Sequence, residues 1–192
     1  MDKVKNVLLC GVGGQGTILA SKILSFALVE SGYDVKMSEI HGMSQRGGSV
    51  VTQVRYGHKV FAPIIGQGSA DILVSFEAME ALRYLKDLSP EGHVVVNDYE
   101  IQTATTASGL EAYPDDVIET LKRKANTYVL DAAGIAEKLG NERCMNVVLL
   151  GALVKLMDLE SLDWDAALKS SVKPKFLEIN QKALRAGIAA VS

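Results

Sequence analysis

The sequence predicts an α/β fold in which helices cover both faces of a mainly parallel, doubly wound sheet, giving three layers in a single domain. Short apolar runs rich in Val and Ile alternate with stretches of helical periodicity from one end of the chain to the other. A glycine-rich turn joins the first apolar run to the first helical stretch. The length of 192 residues suits one domain, so we expect residues 1–192 to form a single unit.

The first half of the chain begins with a strand, a glycine turn and a helix. Residues 4–10 predict a strand that ends at Gly11, and residues 17–29 carry apolar side chains at helical spacing. Residues 34–40 alternate as a second strand. Residues 50–56, a turn at Gly57 and His58, and a short run at 60–61 are typical of a β-hairpin.

The second half repeats the alternation of strands and helices. A strand is predicted at 72–76 with a helix at 77–86, then a turn at 89–92 and a strand at 93–97. Residues 101–110 show no clear hydrophobic period, so their secondary structure is left unassigned. The remaining predicted elements are a strand at 128–131 and helices at 114–124, 135–139, 146–157, 165–169 and 174–189.

Charge and composition exclude several classes of protein. A net charge of −3 offers no basic surface for a phosphate backbone, so nucleic acid is not an expected partner. The chain shows no charged leader and no apolar run near the roughly 18 residues that a membrane helix needs, so we expect a cytoplasmic protein without membrane contact. Cys10 and Cys144 fall short of the four thiolates that an ordinary iron–sulfur cluster needs, and no metal site is expected.

The first candidate site is the turn after the first strand, which reads G-x-G-x-x-G. Such a turn lets backbone approach a ligand closely and points free helix N–H groups at an anion. With Glu39 near the end of the second strand, the pattern suits a Rossmann-like dinucleotide site. The other interpretation is that the glycines only permit close packing of strand and helix, and both stay open. The candidate residues are Gly11, Gly13, Gly14, Gln15 and Gly16.

The second candidate site is the polar segment 41–49, which follows the second strand. In an open parallel sheet the loops after the first two strands share the carboxyl edge, so this segment is expected beside the glycine turn. Arg46 between flexible neighbours suits a phosphate, a carboxylate or an acid on a partner chain, and the alternative is a solvated loop arginine. His41 is expected to be structural, with Glu39 on the opposite face of the strand. The candidate residues are Ser44, Gln45, Arg46, Gly47 and Gly48.

Two further polar residues lie where a strand or loop meets a helix. Glu77 follows the strand at 72–76 and is expected either at the ligand-bearing edge or as a helix cap. Asn146 begins an apolar helix, where an N-cap role is sufficient and a contact with a ligand or partner is the alternative. Walker A, zincin, nucleophile-elbow and Gly-Asp-Gly patterns are all absent from the sequence.

Five segments together resemble one family more specifically than the glycine motif does. They are GVGGQG, EIHGMSQRGGSVVTQVRYG, FEAMEALRYL, NVVLLGAL and KPKFLEINQKAL, and the resemblance runs in order from about Val4 to Gly187 without large gaps. The chain resembles the β subunits of indolepyruvate ferredoxin oxidoreductases, which are akin to the γ subunit or domain of other 2-oxoacid ferredoxin oxidoreductases. Ser49 stands where the pyruvate-type chains more often carry Pro, which favours the indolepyruvate branch.

The resemblance implies a subunit that is not active alone. A larger α subunit would carry thiamine diphosphate and iron–sulfur clusters, oxidise an aryl 2-oxoacid to an acyl-CoA with coenzyme A as co-substrate, and pass electrons to ferredoxin. This chain would bind neither cofactor by itself, and the resemblance assigns it no catalytic residues. Its loops would complete the site, contact coenzyme A or hold the α subunit.

Two interpretations from other classes compete with this one. The first is a stand-alone NAD(P)-dependent dehydrogenase, favoured by the glycine motif and Glu39 but lacking an evident acid for hydride transfer. The second is a non-catalytic assembly subunit. The substrate acid and the stoichiometry are not encoded in any motif that the sequence shows.

Overall fold

The computed structural model describes residues 4–42, 48–102, 106, 109 and 112–192. Six strands form one sheet: β1 (Lys5–Val12), β2 (Asp34–His41), β3 (Ser49–Gly57), β4 (Ala70–Ser75), β5 (Leu88–Asn97) and β6 (Asn126–Leu130). Their order across the sheet is β2-β3-β1-β4-β5-β6. The helices of the described residues are α1 (Thr17–Glu30), α2 (Ala78–Tyr84), α3 (Val117–Lys124), α4 (Ala132–Lys138), α5 (Met145–Leu156), α6 (Trp164–Ser171) and α7 (Leu177–Ala189).

The sheet is mostly parallel, as predicted. Strands β1, β4, β5 and β6 pair in parallel, while β3 is antiparallel to both β1 and β2. Because β3 is antiparallel to both neighbours, β2 runs in the same direction as β1. The carboxyl ends of five strands therefore meet at one edge, the edge where open α/β sheets hold their sites.

The predicted hairpin was wrong, because β3 forms its antiparallel pair with β2 before it rather than with residues 60–61 after it. The apolar pattern of β3 does not distinguish these neighbours, since one strand can pair on either side. The backbone N–H of Val60 instead donates to the Asp34 carboxylate at 2.9 Å, which ties that segment to the start of β2.

Alternate side chains of the strands fill two separate cores, one on each face of the sheet. Val7 and Leu9 of β1 face the larger core, which is covered by α1, α4, α5, α6 and α7. Leu8 and Cys10 face the smaller core, which is covered by α2 and α3. This arrangement confirms the three-layer fold. Among the described residues, no helix is long and apolar enough to cross a membrane.

Two element boundaries differ from the prediction because tertiary pairing overrides local turn chemistry. Gly11 does not end β1, since it pairs with Val50 and the strand continues to Val12. Residues 89–92 lie inside β5, where the pairing with β4 shifts register between Ala70 and Ile72. A register shift tolerates Pro90, which has no N–H to give to the ladder.

Helices α5 and α7 cross at unusually close range through two glycines. A Cβ on Gly151 would lie 2.2 Å from the Leu184 carbonyl oxygen, and one on Gly187 would lie 1.9 Å from that of Val148. Only glycine allows this approach, since a carbon atom needs more than 3 Å from a backbone oxygen. The crossing fixes α5, whose first turn lies at the carboxyl edge.

Candidate functional site

The glycine turn between β1 and α1 has a left-handed backbone at two positions. Gly14 has φ 99° and Gly16 has φ 87°, conformations that other residues rarely adopt. Gly16 is also the N-cap of α1, and no side chain in the described part of the chain caps this helix. The first turn of α1 therefore presents backbone N–H groups at the carboxyl edge.

Gln15 braces this turn with both atoms of its amide. Its Oε1 accepts from the Val12 N–H at 2.7 Å, and its Nε2 donates to the Phe76 carbonyl oxygen at 2.9 Å. A Cβ on Gly11 would lie 2.8 Å from Gln15 Oε1 and 2.9 Å from Phe76 Cβ, so the first glycine makes room for this brace. The hydrogen bonds give Gln15 an intramolecular role, and its predicted contact with a ligand or partner stays a prediction.

The second candidate segment begins and ends beside the glycine turn. The Gly13 N–H donates to the Gly48 carbonyl oxygen at 2.9 Å, and the Gly42 N–H donates to that of Ser49 at 2.8 Å. Gly48 therefore lies at the predicted edge. The candidate residues Ser44, Gln45, Arg46 and Gly47 lie outside the described residues.

Asn146 is not the N-cap that its position suggests. The helix α5 has Cys144 as its N-cap, so Asn146 lies within the first turn and is only 3% exposed. Its Nδ2 donates to the Gly16 carbonyl oxygen at 3.2 Å. A Cβ on Gly16 would lie 2.7 Å from the same Nδ2, so the third glycine of the motif admits this contact. The Oδ1 of Asn146 is buried with no partner among the described residues.

Asn97 was missed by the sequence analysis and joins three segments of the edge. It is fully buried at the end of β5, where its Nδ2 donates to the Phe76 carbonyl oxygen at 3.3 Å and contacts Met145 Sδ at 3.2 Å. Its Oδ1 accepts from the Ala132 N–H at 3.0 Å. The available signal was a polar amide that ends an otherwise apolar strand.

Glu77 has its carboxylate occupied within the chain. It caps α2 by accepting from the Glu80 N–H at 2.9 Å, and it accepts from the Tyr113 hydroxyl at 2.7 Å and the Ile101 N–H at 3.2 Å. Burial and the hydrogen bond to Glu77 raise the pKa of Tyr113 well above its usual range. The capping interpretation fits these contacts, whereas a ligand or partner contact of Glu77 stays a prediction.

The position of Glu39 weakens the dinucleotide interpretation. In the observed order β3 separates β2 from β1, which puts Glu39 two strand spacings, roughly 10 Å, to the side of the β1 strand. Glu39 was also expected on the opposite face from His41, which was wrong because residues two apart in a strand share a face. Glu39 Oε2 lies 3.6 Å from His41 Nε2.

The two cysteines cannot share a metal cluster. Cys10 belongs to the smaller core and Cys144 to the larger core, on opposite faces of the sheet. Burial raises the pKa of both thiols, which disfavours the thiolate that metals bind. Within the described part of the chain, no cluster of three His, Cys, Asp or Glu side chains is arranged to hold a metal ion.

A pocket of about 950 Å³ opens at the carboxyl edge between the glycine turn, α4 and the start of α5. Its walls combine backbone of the turn, apolar side chains and four charged side chains. The lining residues are Gly14, Gln15, Gly16, Leu19, Tyr99, Ile101, Asp131, Ala133, Gly134, Glu137, Glu142, Arg143, Met145 and Asn146. Three of the predicted site residues besides Gln15 thus lie in one pocket: Gly14, Gly16 and Asn146.

Comparison with known proteins gives consistent matches along nearly the whole chain. The family model described as pyruvate ferredoxin/flavodoxin oxidoreductase matches residues 6–190. Indolepyruvate oxidoreductase subunit IorB of Pyrococcus horikoshii is 37% identical, with 98% of this chain and 96% of the relative covered. 2-Oxoglutarate synthase subunit KorC of Methanothermobacter thermautotrophicus is 30% identical, with 95% and 93% covered.

A solved structure matches the fold over the same extent. The gamma subunit of a keto/oxoacid ferredoxin oxidoreductase from Geobacter sulfurreducens superposes with a TM-score of 0.73, at 24% identity, with 99% of this chain and 97% of that chain covered. The family model and the sequence relatives carry the assignment, and the structural match agrees with it. The chain belongs to the pyruvate ferredoxin/flavodoxin oxidoreductase family.

Proposed function

We propose that this chain is the small subunit of a cytoplasmic indolepyruvate-type oxidoreductase, which oxidises an aryl 2-oxoacid to an acyl-CoA and reduces ferredoxin. The observation that carries the proposal is the difference in identity among relatives of similar length. The Pyrococcus horikoshii IorB is 37% identical, against 30% for the 2-oxoglutarate synthase subunit. Both alignments cover more than nine-tenths of each chain, so the difference does not come from partial matches.

The redox cofactors belong, in this proposal, to a larger partner subunit. Thiamine diphosphate and iron–sulfur clusters supply the decarboxylation and electron-transfer chemistry, with coenzyme A as the acyl acceptor. The two buried cysteines of this chain lie on opposite faces of the sheet, which does not fit a cluster. The same allocation makes the chain dependent on its partner for activity.

The carboxyl edge of this chain supports a role in completing the partner's site rather than in catalysis. The side-chain oxygen and nitrogen atoms of Gln15, Glu77 and Asn97 all form hydrogen bonds within the chain. These bonds hold the ends of β1, β4 and β5 in a fixed arrangement. A pre-organised edge of this kind presents a defined surface to a partner, since little rotamer freedom is lost on binding.

The experiment is co-expression of this chain with the proposed larger subunit, followed by assays with a panel of 2-oxoacids. We expect the complex to reduce methyl viologen with indolepyruvate and coenzyme A, and more slowly with pyruvate or 2-oxoglutarate. Each subunit alone serves as a control and should be inactive. Reduction of NAD by the lone chain with a 2-hydroxyacid would restore the dehydrogenase interpretation. Full activity of the larger subunit alone would favour a non-catalytic assembly role.

The segment around Arg46 is proposed, from the sequence, to contact the partner subunit or a phosphate of coenzyme A. If Arg46 pairs with a buried carboxylate of the partner, Arg46→Ala weakens assembly by roughly 2–5 kcal/mol, because the remaining charge is stranded. If it binds coenzyme A, assembly persists while the apparent affinity for coenzyme A falls. Arg46→Lys then restores only part of that affinity, because a point charge does not replace the planar fork. The larger subunit and coenzyme A are titrated separately against each variant. Wild-type affinity in both titrations would contradict both roles.

A further inference from the structure

We propose that the chain binds the larger subunit through the end of its sheet at β2, and that Phe61 enters an apolar pocket of that subunit. The inference rests on the proposed function, because it needs a partner chain, and it assigns that partner a place and a chemistry. Strand β2 ends the sheet, since among the described residues it pairs with β3 alone. A free edge strand of this kind is a natural place for another chain to dock.

Exposed apolar side chains collect around β2. Of the eight large apolar side chains that are exposed in the described part of the chain, six belong to β2 or to segments that adjoin it. Phe61 is 90% exposed, and the other five are between 37% and 54% exposed. The β2 surface is made of these six residues: Val29, Tyr33, Met37, Ile40, Phe61 and Ile64.

The exposed area of the β2 surface matches what a stable interface needs. With roughly 200 Å² for each large side chain, the exposed fractions come to about 600 Å². A standard interface buries about 800 Å² on each partner, of which somewhat more than half is apolar. The β2 surface can therefore supply the apolar part of one such interface.

The β2 surface continues around the edge strand onto both faces of the sheet. Val29 belongs to α1, which covers the larger core. The ring of Tyr33 packs edge-on against that of Tyr56 in the same core, with the ring centres 5.4 Å apart. On the other face, Ile40 pairs with Val51 of the smaller core. A partner that covers this edge therefore contacts two layers of the fold.

The backbone on either side of Phe61 is fixed by hydrogen bonds. Arg55 Nη1 donates to the Ala62 carbonyl oxygen at 2.9 Å and to that of Ile64 at 3.1 Å. On the other side, the N–H of Val60 is bonded to the start of β2. Because this segment is already ordered, burying the Phe61 ring in a partner costs little conformational entropy. Pre-organised aromatic anchors of this kind carry much of the binding energy of protein interfaces.

The charged side chains of β2 are paired within the chain. Asp34 contacts both Lys36 and Lys59. Glu39 Oε2 lies 3.6 Å from His41 Nε2. Binding at the β2 surface therefore depends on apolar area rather than on unpaired charge of the strand, and the matching surface of the larger subunit is apolar.

A second copy of this chain is a poor occupant, because β2 does not complement itself. When two β2 strands pair about a two-fold axis, opposed side chains lie on one face, so each residue meets only residues an even number of places away. The register that sets Asp34 opposite Lys36 pairs only three residues, and so does the one that sets Glu39 opposite His41. Every longer register sets a charged side chain opposite an apolar one or opposite its own copy. This mismatch favours a different chain as the partner.

The test replaces Phe61 in the co-expressed complex and makes the same change at another exposed phenylalanine. The variant is Phe61→Ser, and the matched control is Phe176→Ser, which lies just before α7 and outside the β2 surface. Phe61→Leu keeps an apolar side chain at the anchor position. The melting temperature of the free chain should barely change with Phe61→Ser, because so exposed a side chain contributes little to packing.

Exchange of subunits measures the strength of the contact. Each complex is mixed with an excess of labelled wild-type small subunit, and the exchange rate reports dissociation, on which interface substitutions mainly act. We expect Phe61→Ser to exchange at least about tenfold faster than the wild type, and Phe61→Leu and Phe176→Ser to stay within about threefold of it. The effect of Phe61→Ser should be nearly independent of salt, because the contact is apolar.

Each other outcome identifies what has failed. Equal exchange rates for Phe61→Ser and Phe176→Ser overturn the docking surface and leave the proposed function standing. If the lone wild-type chain sediments as a dimer that Phe61→Ser dissociates, while exchange from the complex is unchanged, a second copy occupies the surface and the proposal is also overturned. A wild-type chain that does not assemble with the larger subunit contradicts the proposed function, and the docking surface with it. If Phe61→Ser lowers the melting temperature of the free chain, Ile64→Ser decides by the same criterion.

Discussion

Substitution of Gly187 by alanine sets two effects of opposite sign against each other. In an open helix, Gly→Ala stabilises by roughly 0.5–1 kcal/mol, because alanine loses less backbone freedom on folding. Here the new Cβ would lie 1.9 Å from the Val148 carbonyl oxygen, so α5 and α7 must move apart by more than 1 Å. Overpacking of a filled interface typically costs about 1–3 kcal/mol. We expect packing to dominate, with a net loss of about 1–2 kcal/mol.

Urea denaturation and thermal unfolding of the purified chain measure this loss. For a chain of this size, about 1–2 kcal/mol corresponds to a melting temperature lower by roughly 2–8 °C. Gly151→Ala should behave alike, since its Cβ would lie 2.2 Å from the Leu184 carbonyl oxygen. The double variant should cost less than the sum of the two, because one separation of the helices relieves both contacts. A higher melting temperature for Gly187→Ala would refute the reasoning.

Three further predictions concern the edge and the cores. Gln15→Glu keeps the acceptor for the Val12 N–H but loses the donor to the Phe76 carbonyl oxygen. The free energy of unfolding, measured in urea, should therefore fall by about 1–2 kcal/mol, and an unchanged value would contradict the bracing role of Gln15. The raised pKa of Tyr113 keeps its hydroxyl protonated in the folded chain. The free energy of unfolding should therefore hold at pH values below the ordinary tyrosine pKa of about 10 and fall at higher pH. Tyr113→Phe should flatten this decline with pH. Cys10 and Cys144 should react with a thiol reagent at pH 8 only after unfolding, because burial raises both pKa values; fast labelling of the native chain would contradict this.

The glycine motif shows how far sequence reasoning carries at the candidate site. The motif correctly indicated a strand, a tight turn and a helix, because glycine adopts the positive φ of positions 14 and 16 far more readily than other residues do. It could not tell that the space beside Gly16 is filled by Asn146, which is 130 residues away in the chain. Contacts at that separation depend on which helices pack together.

The sequence by itself determined the α/β class, the two-faced apolar pattern of the strands and the family. These properties are local or follow from residue order, since hydrophobic periodicity and turn chemistry are read within short windows. Only the tertiary structure decided that β3 lies between β1 and β2, which moves Glu39 away from the glycine turn. It also decided that Asn97 ties three segments together. Asn146 shares a pocket with three acidic side chains, and its Oδ1 has no partner among the described residues. Strand order and packing bring distant residues together, and no local pattern encodes which of two compatible neighbours a strand takes.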